Sequence, residues 1–142
     1  PIGRATAALA KAFGAHVTVV RRSPDTGPTV DRAGTMADLP EIVPDIDVIV
    51  LACPLNEATR GFAGRDFFAR VKQDAVLVNI ARGGLIDDAA LIEALDSGRL
   101  AAAALDVFHT EPLPAGDPLW SHPKVRLTAH TSFFGSGTRG RW

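Results

Sequence analysis

Five short apolar runs alternating with stretches of helical period are what most constrain this chain. The runs are "HVTVV" (16–20), "DIDVIVLAC" (45–53), "AVLVNI" (75–80), "AAAALDVF" (101–108) and "VRLTAH" (125–130). They are too short for buried helices, and the valine-rich ones suit strands buried in a parallel sheet. Ahead of the first run, Ile2, Ala5, Leu9 and Phe13 recur at helical spacing, with Ala8 and Ala12 between them, and Gly14 is placed to end that helix. A loop rich in Pro, Gly, Asp and Thr covers 23–35, and "MADLPEIV" gives a short helical turn. "GRDFFARV" reads as a helix, and "DDAALIEALDSGRL" as another: Asp87 or Asp88 caps it, Leu91, Ile92 and Leu95 form its apolar stripe, and Gly98 stops it. A proline-studded loop follows at 111–123, and after residue 131 a Gly/Ser turn leads toward the start of a last helix. Strands that alternate with helices build βαβ units, so the expected class is α/β with a doubly wound parallel sheet.

Length and charge narrow the class of function. A chain of 142 residues makes about one domain, expected to span 1–142, and 46% hydrophobic with 22% charged residues is globular composition. A net charge of -1 gives no electrostatic footprint for nucleic acid and no polybasic patch for a membrane surface. No apolar run approaches the ~20 residues that span a bilayer. The single Cys53 excludes an internal disulfide framework and fits a reducing, cytoplasmic compartment. Neither a signal peptide nor metal-ligand spacing is present, so no metal is expected.

The opening "PIGRATAALAKAFGAHVTVVRRSP" resembles the back half of a dinucleotide-binding turn. In that turn the last of three glycines lets a helix pack tightly on its strand while the helix N-terminus faces a pyrophosphate. Gly3 stands in the final position, and the first two glycines and the preceding strand are absent. That strand is central in such a sheet, and its loss would leave a row of unpaired backbone groups. The natural protein is therefore expected to be longer at both ends.

Polar residues gather where the strands end. Arg21, Arg22 and Ser23 follow the first run, where an acidic residue would hold the ribose hydroxyls of NAD. Guanidiniums there pair with a 2′-phosphate instead, which points to NADP rather than NAD. Arg82 follows "VNIA" and precedes Gly83 and Gly84, placed to grip a carboxylate beyond the strand's carboxyl end. Asp106 and Glu111 follow the fourth run, and His130 ends the fifth. A histidine beside a carboxylate suits an acid/base group, because the carboxylate favours imidazolium. His16, His109 and His122 lack that placement, although His109 stands close enough to Glu111 in sequence to compete for it.

"NIARGGLIDDAAL", "ALDVFHTEPLP", "DPLWSHP" and "LTAH" resemble, in order and spacing, the signature blocks of the D-isomer-specific 2-hydroxyacid dehydrogenases, over Pro1 to about Thr131. The resemblance implies a Rossmann-type dinucleotide-binding domain, with a flavodoxin-like substrate domain outside this sequence and a homodimeric full-length enzyme. It implies that Arg82 binds the substrate carboxylate, Glu111 raises the basicity of the histidine, and His130 is the general acid/base. On the cofactor side it implies Pro1, Ile2 and Gly3 at the pyrophosphate turn and Arg21, Arg22 and Ser23 at the 2′-phosphate. Pro54 and Thr59 of "CPLNEAT" would line the adenosine side, and Ile80, Ala81, Arg82, Asp106 and His130 would also border the cofactor, Asp106 on the nicotinamide side. The implied activity is hydride transfer between NADP(H) and a small 2-keto or 2-hydroxy acid, as in the NADP-using glyoxylate and hydroxypyruvate reductases.

Two departures bear on the details: Arg21 replaces the family's usual acid, and "HTSFFGSGT" alters the stretch after the histidine. Formate and phosphite dehydrogenases share the scaffold, but Arg21 argues against their NAD-type cofactor, and the Gln-Pro that precedes the histidine in formate enzymes is missing from "RLTAH". Corepressors that resemble the family use the dinucleotide as a conformational sensor, and turnover on a 2-keto acid separates them from the enzymes.

Overall fold

The computed structural model describes residues 2–24 and 26–131, which divide into two compact units, Pro1–Ile46 and Asp47–Trp142. The element order is α1 (Ile2–Ala12), β1 (Thr18–Val20), β2 (Arg32–Gly34), α2 (Leu39–Ile42), β3 (Val48–Leu51), α3 (Arg65–Arg70), β4 (Ala75–Asn79), α4 (Asp88–Asp96), β5 (Leu100–Leu105) and β6 (Val125–Leu127). Among the described residues every strand pairing is parallel, so the chain has the α/β, Rossmann-type character that its alternating pattern implies. Pro1, Asp25 and the stretch from residue 132 onward, including the Gly/Ser turn and the start of a last helix, lie outside the described residues.

In the first unit α1 ends as its sequence suggests. Gly14 takes φ +84, and the amides of Gly14 and Ala15 donate to the carbonyls of Lys11 and Ala10, which satisfies carbonyls the helix leaves open. Asp31 then ties the unit together. Its carboxylate accepts from the Val17 amide at 2.7 Å and pairs with Lys11, and those bonds, the Lys11 one foremost, hold its pKa below the ordinary range.

The loop expected over 23–35 contains a strand. Arg32, Ala33 and Gly34 pair in register with Thr18, Val19 and Val20. Arg-Ala-Gly has no β-branched or aromatic residue to mark it, so pairing with β1 makes the strand where propensity does not. Gly34 is buried, and a Cβ there would stand 2.7 Å from Cδ1 of Ile42, so α2 packs onto the bare backbone.

The second unit is a four-stranded sheet in the order β3-β4-β5-β6. Its core is aliphatic: Leu77, Leu85, Leu91, Leu95 and Leu100 are fully buried. Phe67 and Phe68 of α3 are buried and meet edge to face with centroids 5.4 Å apart. Asp87, not Asp88, caps α4, accepting from the Ala90 amide at 3.1 Å, and Gly98 ends the segment at φ +77. The strands are shorter than the apolar runs. Residues 43–45 form a 3-10 turn before β3, and Asp106–Phe108 and Thr128–His130 leave the ladder as loops. Of β3, Leu51 is buried while Val48 and Val50 are exposed, so this run is not covered on both faces. In the proline-rich connection before β6, Asp117 caps a 3-10 turn at Pro118–Trp120 by accepting from the Leu119 amide.

Candidate active site

The carboxyl ends of β4, β5 and β6 lie side by side, and the polar residues of interest stand on the loops that leave them. After β4 the chain turns at once. Asn79 is fully buried, its Nδ2 donates to the Arg82 carbonyl at 2.9 Å, and its Oδ1 accepts from the Ala81 amide at 3.1 Å. The side-chain amide thus has a partner for both its donor and its acceptor, and it fixes the backbone that bears Ile80, Ala81 and Arg82.

Two glycines then let neighbouring segments close in. A Cβ on Gly83 would fall 2.0 Å from the Phe108 carbonyl carbon, so the Arg82 turn lies directly against the backbone of the loop after β5. A Cβ on Gly84 would meet Leu55 at 3.0 Å. The loop after β3 is braced on this turn by hydrogen bonds from the Gly61 amide to the Gly84 carbonyl and from the Ala63 amide to the Leu85 carbonyl. Within that loop Thr59 is buried, and its hydroxyl donates to the Pro54 carbonyl and accepts from the Asn56 amide. Pro54 and Thr59 are therefore joined by a direct bond that shapes the loop.

Glu111 and His130 meet. Glu111 Oε2 is 2.7 Å from His130 Nδ1, and Glu111 Oε1 accepts from the Phe108 amide at 3.0 Å. The His130 contact first and the Phe108 N–H second hold the Glu111 pKa below its ordinary range, and the charge of Arg82 adds to the effect. His130 itself adopts a left-handed backbone, φ 54, rare for a residue with a side chain. Buried Asp106 stabilises that turn: its Oδ1 accepts from the Thr128 hydroxyl and, at 3.0 Å, from the Thr131 amide, on either side of the histidine. Arg82 is exposed and its Nη1 donates to the Ala81 carbonyl.

So the second unit brings Arg82, Asp106, Glu111 and His130 together, with Ile80 and Ala81 on the same turn. His109 does not compete for Glu111: its Nε2 faces the Ile86 carbonyl at 2.8 Å. His122 contacts Asp96 and accepts from the Lys124 amide, while His16 stands near Asp31. Ile2, Gly3, Arg21, Arg22 and Ser23 belong to the first unit. There the Arg21 amide donates to Gly34, which places the two arginines at the carboxyl end of β1. Asn79 and Thr128 were not singled out from the sequence, although each is a polar residue at the end of an apolar run.

A carboxylate–imidazole pair next to a guanidinium can hold an anionic substrate and exchange a proton with it. Residues 1–132 match the family model described as the D-isomer specific 2-hydroxyacid dehydrogenase, NAD binding domain. The chain belongs to this family. It is 40% identical over 133 residues to D-3-phosphoglycerate dehydrogenase of Bacillus subtilis, covering 91% of this chain and 24% of that protein. With human glyoxylate reductase/hydroxypyruvate reductase it shares 40% identity over 130 residues, 91% of this chain and 40% of the relative. The chain thus spans well under half the length of these relatives. A crystal structure of an NADPH-dependent glyoxylate/hydroxypyruvate reductase from Sinorhizobium meliloti, in complex with NADP and sulfate, superposes with a TM-score of 0.85 at 33% identity, covering 91% of this chain and 42% of that one. The match is to the NAD-binding domain of that family.

Proposed function

We propose that the full-length protein is an NADP(H)-dependent oxidoreductase of small 2-keto and 2-hydroxy acids of the glyoxylate and hydroxypyruvate kind. The observation that carries this reading is the 2.7 Å contact of His130 Nδ1 with Glu111, beside Arg82. The cofactor assignment rests on the donors at the end of β1. Arg21, Arg22 and Ser23 supply cations and a hydroxyl, the chemistry that suits a phosphomonoester, and a relative of this kind is described with NADP. In the second unit Asp106 and the Ile80–Arg82 turn would border the nicotinamide end.

Held there, the nicotinamide would supply the hydride for the carbonyl carbon. Arg82 would hold the substrate carboxylate and draw on the carbonyl oxygen as negative charge grows there. His130 would deliver a proton to that oxygen from Nε2, while the Glu111 carboxylate, 2.7 Å from Nδ1, orients the ring for the transfer. Asn79 and Asp106 hold Arg82 and His130 in place, so little reorganisation is needed as the reaction proceeds. Homodimer formation by the full-length protein is part of the same reading.

The test is reduction of glyoxylate and hydroxypyruvate by the full-length protein, followed at the reduced-nicotinamide absorbance with NADPH and NADH side by side. Faster turnover with NADPH is expected, with loss of about a hundredfold or more in His130→Ala and a shift toward NADH in Arg21→Asp. Tight NADPH binding without turnover would instead mark a dinucleotide sensor. Preference for NADH would mean that Arg21 and Arg22 hold no 2′-phosphate.

A further inference from the structure

The loop that carries Glu111 is fastened to the turn that carries Arg82 by a histidine the proposed chemistry leaves unused. His109 Nε2 lies 2.8 Å from the Ile86 carbonyl oxygen, and a carbonyl can only accept, so the ring proton sits on Nε2. Ile86 closes the 3-10 turn that begins just after Arg82: its amide donates to the Gly83 carbonyl, and the Leu85 amide donates to that of Arg82. Asp88 Oδ2 stands 3.9 Å from the same imidazole nitrogen. Burial pushes the Asp88 carboxyl pKa up, and His109 pulls against that rise. On the other side, Gly83 is seated against the backbone of Phe108 and His109, and the Phe108 amide donates to Glu111. Two residues of one loop therefore contact both the Arg82 turn and the Glu111 carboxylate.

We propose that His109 is a positioning residue, which by donating Nε2–H to the Ile86 carbonyl sets the spacing between the Arg82 guanidinium and the Glu111–His130 pair. For its effect on substrate the proposal rests on the function given above; for the geometry it stands alone. Without the bond the two segments lose this tie, and Arg82 loses its register against the carboxylate it would grip. His109 acts through Arg82 and Glu111, so its removal should appear in substrate binding more than in cofactor binding.

The test uses the full-length protein with His109→Ala and with His109→Gln, whose carboxamide restores a donor. Steady-state reduction of hydroxypyruvate should show KM for the keto acid raised about tenfold in His109→Ala, with NADPH affinity measured by fluorescence titration unchanged and most of the loss recovered in His109→Gln. A carbon-detected NMR titration of the Glu111 carboxyl gives an arm independent of turnover: its midpoint should rise in His109→Ala and stay in place in His109→Gln. If His109→Ala does not fold, His109→Leu keeps bulk without a donor and takes its place. An unmoved KM and Glu111 midpoint in the donor-less variant would overturn the proposal, as would equal changes in His109→Gln. If no 2-keto acid is turned over by the wild type while the Glu111 midpoint moves as expected, the proposed function falls and the positioning role stands.

Discussion

Replacing Gly83 by alanine puts the arrangement of the site to its hardest test. The added methyl would lie 2.0 Å from the Phe108 carbonyl carbon, 2.3 Å from its oxygen and 2.4 Å from the His109 nitrogen, all backbone atoms. Ordinary contact begins near 3.4 Å, so the two segments must part by about 1.4 Å, and no side-chain rotation can absorb it. A separation of that size breaks the 2.8 Å bond from His109 to Ile86 and draws Arg82 away from Glu111. Overpacking of this kind costs about 1–3 kcal/mol of stability. A misplacement near 1 Å between catalytic groups costs about a hundredfold in rate. The assay is kcat/KM for hydroxypyruvate together with a thermal melt, with Gly84→Ala as the comparison. At Gly84 the methyl would meet side chains, Leu55 at 3.0 Å and Arg60 at 3.8 Å, and the Leu55 methyl can yield by a few tenths of an ångström. Gly83→Ala should lose about a hundredfold in kcat/KM and melt lower, while Gly84→Ala stays within a few-fold of wild type. If the two variants behave alike, the close approach of the Arg82 turn to Phe108 does not organise the site.

Two other predictions follow from single bonds. Asp87→Ala removes the cap on the Ala90 amide and should cost about 1 kcal/mol, read as a melting temperature lower by a few degrees with KM values unchanged; an unchanged melt would mean the cap adds nothing. Glu111 has its pKa depressed from the ordinary 4.5, so the stability it contributes is complete above that value and is lost as the pH falls through the depressed one. The melting temperature of Glu111→Gln should therefore fall less steeply than that of wild type below pH 4.5, and parallel curves would show that the His130 contact carries no net stability.

Much of this was legible in the residues, for identifiable reasons. Helix ends have local chemistry: Gly14 and Gly98 both take positive φ where they were expected to stop helices, and an aspartate at 87 or 88 was expected to cap α4. Strand identity in the second unit followed from apolar runs flanked by helical period. By contrast β2 was hidden, because Arg32-Ala33-Gly34 becomes a strand only by pairing with β1, and a buried glycine there serves Ile42 rather than a turn. Strand ends were overrun because Val107, Phe108 and Ala129 carry apolar residues past the point where the ladder stops. The faces of β3 could not be assigned, since an apolar run does not say which side another element covers, and Val48 and Val50 turn out to be exposed.

The candidate site shows the same division. Charged residues at strand ends are visible in sequence because charge is rare beside apolar runs, and Arg82, Glu111 and His130 were found that way. What holds them is invisible there, because it depends on which atoms meet across 20 or more positions of chain, as in the bond from Thr128 to Asp106. Sequence proximity kept His109 open as a rival to His130 for Glu111: His109 is two residues from Glu111, yet it faces Ile86, while His130 reaches Glu111 from the loop after another strand. In a parallel sheet adjacent strands deliver their loops to one edge, so residues far apart in the chain become neighbours there and near ones can point to different partners. The left-handed φ of His130 follows from this. A histidine projecting straight from β6 would continue the pleat, and the two bonds to Asp106 hold the backbone in the rarer conformation from which the ring reaches Glu111.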